Sequence, residues 1–382
     1  MASPRAWSFH NPVRIECAPG ALQQLPRFLG AEGELLLVTS RGFRERGGLQ
    51  RLTELVQRPM HVVDDVEPNP GLAQVEAQLE KLAGLRIGTI VAVGGGSVLD
   101  TAKILAAVSG GVPLREHLLS GAPLPPSRAS RLICVPTTAG TGSEVTPFAT
   151  VWNHETKKKH SVSGETLFPD VALLDPELTL SVPEDVTLST GLDAITQAFE
   201  AAWSRRANPL TTAFAVRAIR AGLRALPALI RNPGDVGLRQ EMLEASVLAG
   251  LAISHTRTTL CHSISYPLTA HFGVPHGYAC AFTLGEVFDF NQAADPALFE
   301  ELANGVGFSS ADALRVAVEE LRNAARVGPT LRRYVDDVHA VAALVPEMLT
   351  PGRADNNLRA AAEEDVAELV ARAAHACGMR SV

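Results

Sequence analysis

The sequence predicts an α/β N-terminal domain followed by an all-α C-terminal domain, and three observations carry the prediction. Short apolar runs alternate with helical patterns through the first half of the chain, which implies a mostly parallel sheet covered by helices. Two turns rich in glycine and hydroxyl residues each follow an apolar run directly. From "LSVPEDVTLSTGLDAI" (180–195) onward, the segments become Ala/Leu-rich with helical periodicity and few β-branched runs. The Pro-containing stretch 176–186 is the expected boundary, dividing the chain into 1–182 and 183–382.

In order along the first domain, "ELLLVTS" (34–40) reads as a buried strand and "RGFRERGGLQRLTELVQR" (41–58) as a helix with a Gly-Gly interruption. "MHVVDDV" (60–66) reads as a strand, "GLAQVEAQLEKLAG" (71–84) as a helix, and "IGTIVAV" (87–93), "RLICVPT" (131–137) and "VALLDP" (171–176) as further strands. In the second domain helices are predicted over 188–204, 208–226, 237–255, 258–270, 297–304, 310–326, 336–347 and 363–377. No internal repeat, coiled coil or low-complexity tract interrupts this plan.

Composition narrows the function classes. At 382 residues the chain exceeds one ordinary core, and 46% hydrophobic with 20% charged residues excludes a disordered chain. A net charge of −7 and a pI near 5.9 argue against non-specific nucleic-acid binding, while leaving room for a local cation cluster around a small anion. Cys17, Cys134, Cys261, Cys280 and Cys377 are odd in number and include no CxxC pair. That argues against a disulfide framework and against a thiolate zinc site. "MASPRAWSFHNP" lacks the apolar core of a signal peptide and no run approaches bilayer length, so a cytoplasmic setting without membrane partners is expected.

"TIVAVGGGSVLDTAK" (89–103) carries the clearest local chemistry. A buried strand ends in Gly94, Gly95 and Gly96, and Ser97 is placed to cap the following helix. Glycines let the backbone approach a pyrophosphate, whose charge is favoured by free N–H groups at a helix N-terminus. The pattern is not GxGxxG, and a plain tight turn is the ordinary alternative. "PTTAGTGSEVT" (136–146) follows another strand with small and hydroxyl residues, which fits one ligand bound beyond neighbouring strand ends.

"LCHSISYPLTAHFGVPHG" (260–277) holds His262, His271 and His276. On a helix, His262 and Tyr266 lie one turn apart on one face, and His276 follows Pro275 in a loop able to fold back. In "GLDAITQAFEA" (191–201) Asp193 and Gln197 are four apart on one helix face. Asp193, with or without Gln197, completes an oxygen/nitrogen site suited to iron or zinc.

Together with "EPNP" (67–70), "LFPDVALLDPELT" (167–179) and "TPGRADNNLR" (350–359), these stretches resemble the iron-containing (group III) alcohol dehydrogenase family over nearly the whole chain. The resemblance implies a Rossmann-like, dehydroquinate synthase-like nucleotide-binding domain, an all-helical second domain, a nicotinamide cofactor in the cleft and a homodimer. It also implies a divalent metal, Fe²⁺ or Zn²⁺, held by one Asp and three His. Asp193, His262 and His276 match that pattern, whereas Gln197 stands where the family has histidine, a weaker neutral oxygen donor. Ser40, Arg41, Asn69, Gly94, Gly95, Gly96, Ser97, Asp100, Lys103, Thr137, Thr138, Thr141 and Ser143 match the cofactor positions. Tyr266, His271 or a water chain would supply the proton.

"HNPVRI" (10–15), "TPFATVW" (146–152), "TRTTLCHSISYPLT" and "EMLTPGRADNNLR" resemble the phosphonoacetaldehyde reductases within that family. A phosphonate needs cations, and Lys159, Arg205, Arg206, Arg257 and Arg353 are available, with Arg257 expected to face the cleft beside His262. Thr39, Ser40 and Arg41 stand where NAD-preferring relatives carry an aspartate, so acceptance of NADPH is expected, with NADH as the alternative. Two other readings stay open: a reductase of another small aldehyde, and a nucleotide binder that has lost its metal.

Overall fold

The computed structural model describes residues 6–108 and 114–381. Its strands are β1 (Arg14–Cys17), β2 (Glu34–Val38), β3 (Met60–Val63), β4 (Ile87–Gly94), β5 (Arg131–Pro136), β6 (Phe148–Asn153), β7 (Lys158–Ser163) and β8 (Val171–Leu174). Six of them form a parallel sheet in the order β1-β8-β5-β4-β2-β3, and β6 pairs antiparallel with β7. Helices α1 (Arg41–Glu45), α2 (Gly48–Val56), α3 (Leu72–Lys81), α4 (Gly96–Val108) and α5 (Leu114–Ser120) accompany the sheet.

The continuous apolar runs of the sequence follow from burial on both faces. Leu36, Val38, Ile90, Ala92, Leu132 and Cys134 pack into one core, and Leu35, Leu37, Val91, Val93, Ile133 and Val135 into another on the opposite face. Because β2 is followed by β3 on one side while β4 lies on its other side, the order in which strands are added reverses between β2 and β4. Ligands of open parallel sheets bind at such a switch point, beyond the carboxyl ends of the strands. Both glycine-rich turns lie at that edge: Gly94 is in register with Pro136, and the Thr137 N–H donates to the Gly94 carbonyl at 2.9 Å.

The C-terminal region is helical: α6 (Glu184–Trp203), α7 (Pro209–Arg231), α8 (Val236–Thr256), α9 (Leu260–Phe272), α10 (His276–Ala281), α11 (Leu284–Gln292), α12 (Pro296–Val306), α13 (Ala311–Ala324), α14 (Val327–Leu331), α15 (Val338–Ala342) and α16 (Glu363–Ala376). Every α6 residue from 191 to 203 is buried, so this part of the helix lacks a solvent face. Its polar residues Asp193, Gln197 and Glu200 therefore require partners inside the protein. No helix among the described residues is long and apolar enough to cross a membrane.

Several elements differ from the sequence expectation. The predicted helix 41–58 breaks at Gly47, which adopts φ 80, while Gly48 leaves room for the Phe43 ring that a Cβ would meet at 2.4 Å. Residues 336–347 do not form one helix: α15 ends at Ala342 and a 3₁₀ turn covers Val345–Glu347, with Pro346 unable to continue an α-helix. Strand β1 and the β6–β7 hairpin were not predicted, because β1 has four residues, all exposed or half-buried, and β7 buries only Val162. Helices α10 and α11 replace an expected loop. Pro275 caps α10, whose six residues are too few to display a period.

Candidate active site

A cleft of about 1230 Å³ runs from the switch point of the sheet to the buried polar residues of α6. At the sheet end, Ser40, Arg41, Asn69, Gly95, Gly96, Ser97, Asp100, Thr137, Thr138, Thr141 and Ser143 line it. Close approach explains the glycines: a Cβ on Gly94 would meet Val98 at 2.5 Å, and one on Gly96 would meet Thr141 at 2.5 Å. Two departures from the sequence reading concern α4. Its first residue is Gly96, so Ser97 lies inside the first turn, where its hydroxyl accepts from the Asn69 N–H at 3.3 Å instead of capping. Lys103 is fully buried and does not line the cleft: Nζ donates to the Thr146 and Phe148 carbonyls at 2.8 and 2.9 Å, tying α4 to the β6 region. Asp100 accepts from the Ser143 hydroxyl at 2.5 Å and the Thr150 N–H at 2.8 Å, which pins the second turn against α4.

At the helical end, Asp193 from α6, His262 from α9, and His276 and Cys280 from α10 place one donor atom each within 4.8 Å of one another. His262 Nε2 lies 3.2 Å from Asp193 Oδ1, and its Nδ1 faces Glu200 Oε2 at 2.5 Å. Glu200 also accepts from the Thr259 hydroxyl at 3.0 Å and the His262 backbone N–H at 3.1 Å, and Trp203 Nε1 donates to Thr259 Oγ1. A carboxylate on the far ring nitrogen is the usual device that turns a histidine toward a metal. Gln197 Nε2 donates to Asp193 Oδ1 at 3.0 Å, and its buried Oε1 has no hydrogen-bond partner.

These residues fit a divalent cation. Bonds of about 2.0 Å in tetrahedral geometry put neighbouring oxygen and nitrogen ligands roughly 3.3 Å apart, close to the 3.2 Å between His262 and Asp193. Burial, reinforced by Lys159, pushes the His276 pKa down to about 3, so this imidazole is a neutral donor. Burial also opposes the charged form of His262, but Cys280 and Glu200 raise its pKa well above the ordinary value. Cation uptake therefore displaces a proton there.

Between the two ends sits a cationic subsite. Lys159 Nζ, from β7, lies 4.2 Å from the centre of the Tyr266 ring, and Arg353 Nε donates to the Tyr266 hydroxyl at 3.3 Å. The Tyr266 ring stacks on His276 at 6.1 Å, and all four side chains line the cleft. Burial raises the phenol pKa, yet Lys159 and Arg353 outweigh it and bring the group below its ordinary value. Neither cation is paired with a carboxylate among the described residues, so their field is open to a ligand.

The other expected site residues do not line the cleft. His271 Nε2 lies 2.9 Å from Glu347 Oε2 on the outer side of α9 and does not line the cleft. Arg257 ends α8 with φ 62 and lays its guanidinium 4.5 Å over the ring of Phe148, a cleft residue, so that it sits behind the lining and close enough to Arg353 and Tyr266 to feel their charges. Burial, Arg353 and Arg206 depress its pKa to about 10. Arg205 is exposed and donates to the Leu358 and Asp355 carbonyls. Sequence reasoning missed Glu200 and Cys280. Glu200 lies seven residues after Asp193, two helical turns along the same face, which was the signal available for it.

A parallel sheet with a phosphate-sized turn at its switch point, facing a buried carboxylate–histidine cluster across one cleft, is the layout of a metal-dependent dinucleotide oxidoreductase. The chain belongs to the iron-containing alcohol dehydrogenase family: residues 12–176 match the model for iron-containing alcohol dehydrogenase and residues 187–374 the C-terminal model of the same family. It is accordingly an oxidoreductase of aldehydes and alcohols. A phosphonoacetaldehyde reductase of Streptomyces viridochromogenes is 35% identical over 75% of this chain and 73% of that protein. A 1,3-propanediol dehydrogenase of Citrobacter freundii is 34% identical over 91% and 92%. Among solved structures, a sulfoacetaldehyde reductase from Bifidobacterium kashiwanohense in complex with NAD+ superposes with a TM-score of 0.90 at 32% identity, covering 97% of this chain and 99% of that one.

Proposed function

We propose that this chain reduces a small aldehyde bearing an anionic head group, with phosphonoacetaldehyde converted to 2-hydroxyethylphosphonate as the leading case and NADPH or NADH as the reductant. The observation that carries the reading is the Lys159–Arg353 pair beside Tyr266, next to the carboxylate–histidine cluster. Two relatives support it, since both are named for acetaldehydes substituted with an anionic group.

When bound, the nicotinamide supplies the hydride, and a divalent cation held by Asp193, His262 and His276 supplies a Lewis acid for the carbonyl. The remaining work falls to the chain. Backbone N–H groups at the start of α4, with Thr137, Thr138 and Thr141, hold the pyrophosphate. Lys159 and Arg353 hold the anionic head and so set which end of the aldehyde faces the cluster. The Tyr266 hydroxyl, whose oxygen already accepts from Arg353, keeps its own O–H to give to the substrate oxygen as the carbonyl carbon gains the hydride. One proton from solvent restores the phenol, and aldehyde, NAD(P)H and a proton become alcohol and NAD(P)+.

Replacing Lys159 or Arg353 by alanine is expected to raise KM for phosphonoacetaldehyde by about 10- to 100-fold, the worth of one charge-assisted hydrogen bond. Reduction of propionaldehyde should change little. Steady-state kinetics with both aldehydes check this, and equal efficiency of the wild type on the two would remove the anionic-substrate assignment.

Cofactor choice is read at the end of β2, where Ser40 and Arg41 line the cleft and Arg46 joins them. An arginine there favours a 2′-phosphate. Wild type is expected to use NADPH at least as well as NADH, and Arg41→Asp to lower kcat/KM for NADPH by about tenfold or more while sparing NADH. A strong wild-type preference for NADH would exclude this role for Arg41.

A further inference from the structure

Cys280 occupies a place that an ordinary core thiol does not. Its Sγ lies 3.7 Å from His276 Nε2 and 3.8 Å from Nδ1, inside the donor group formed with Asp193 and His262. Bonds of about 2.3 Å to sulfur and 2.0 Å to nitrogen at a tetrahedral centre put such donors roughly 3.5 Å apart. Asp193, His262, His276 and Gln197 line the cleft, whereas Cys280 does not and is fully buried. A cation bound by all four members of the group would have the sulfur on the side away from the cleft. Gln197 is engaged through Nε2, while its buried Oε1 has no hydrogen-bond partner. A carboxylate oxygen opposite an amide selects the N–H, so the side chain holds Asp193 in orientation through Nε2.

We propose that the Cys280 thiolate is the fourth protein ligand of the metal centre, taking the place that residue 197 leaves, and that the centre thereby discriminates for zinc against ferrous iron. Thiolate is a preferred ligand of zinc, while the harder oxygen and nitrogen donors alone distinguish the two ions less. The absence of a CxxC pair does not bear on this site, because its single sulfur joins an oxygen and two nitrogens brought from three helices. The proposal rests on the reading that the cluster holds a divalent cation.

Cobalt separates the two. Chelator-stripped protein titrated with Co²⁺ is expected to bind one equivalent and to develop a near-ultraviolet thiolate-to-cobalt charge-transfer band. The band should be lost in Cys280→Ser and kept in Cys261→Ser and Gln197→Ala. In anaerobic competition, the Zn:Fe occupancy ratio should fall in Cys280→Ser. One equivalent of cobalt bound by wild type without charge transfer overturns the role of Cys280 and leaves the metal reading standing. No stoichiometric binding overturns both. The wild-type spectrum decides the matter even if the serine variant folds poorly.

Discussion

Replacing His262 by alanine is expected to lower turnover by about 10³-fold and to leave the purified protein without stoichiometric metal, since a Lewis acid is worth several kcal/mol at the transition state. The same change removes the charge partner of Glu200, a carboxylate with no solvent exposure. Burial raises the Glu200 pKa, but His262 outweighs it and keeps the group below its ordinary value. Stripped of that partner, the carboxylate keeps hydrogen bonds from the Thr259 hydroxyl and the His262 backbone N–H but no opposite charge. Breaking a buried pair from one side costs about 3–5 kcal/mol. A double variant, His262→Ala with Glu200→Ala, removes the stranded charge and should regain part of the lost stability with none of the activity. Thermal unfolding, metal content and kcat together test this. If the single variant were as stable as wild type, Glu200 would not be the charged anchor of His262.

The second large effect is expected from a residue with no functional group. Gly277 sits in the first turn of α10, where a Cβ would fall 1.6 Å from the Ser189 carbonyl oxygen and 3.1 Å from the Asp193 backbone nitrogen, both on α6. The obstacle is backbone, so no rotamer relieves it and the two helices must separate. Overpacking of this kind costs about 3 kcal/mol or more. Separation also carries His276 and Cys280 away from Asp193, so metal affinity should suffer more than the fold. Gly277→Ala is expected to lower Tm measurably and to reduce metal retention by about 10- to 100-fold, the range seen when support around ligands is lost. Gly234→Ala, where a Cβ meets nothing within 4 Å, is the matched control. Wild-type metal content in Gly277→Ala would show that helix spacing does not set the site.

Much of the fold was legible because both of its signals are local. Apolar runs such as "ELLLV" and "IGTIVAV" mark strands buried on two faces, and long helical periods mark α7, α8, α13 and α16. What escaped was short or weakly patterned. β1 and β7 present too few buried residues, and six-residue α10 is defined by Pro275 and by contact with α6, not by a period. The sheet-end site was read closely because its turns are contiguous in sequence. Ser97 lines that end of the cleft, whereas Lys103, two turns further along α4, points into the core.

The helical site divides in the same way. Asp193, Gln197, His262, Tyr266 and His276 were identifiable by residue type and spacing, as was the family to which the chain belongs. Which cations line the cleft was not: Arg257 is near His262 in sequence, but its backbone turn sends it onto Phe148, while Lys159 arrives from a hairpin and Arg353 from a distant loop. By itself, the sequence determined the class of enzyme and most of the polar inventory of the cleft, since these are properties of residues and their neighbours along the chain. Tertiary structure alone decided the contacts by which Cys280 joins Asp193, His262 and His276 and by which Lys159 and Arg353 meet at Tyr266. Those depend on where buried helices cross, and the cost of leaving Glu200, Asp193 and Gln197 unpaired inside α6 is what forces the partners together.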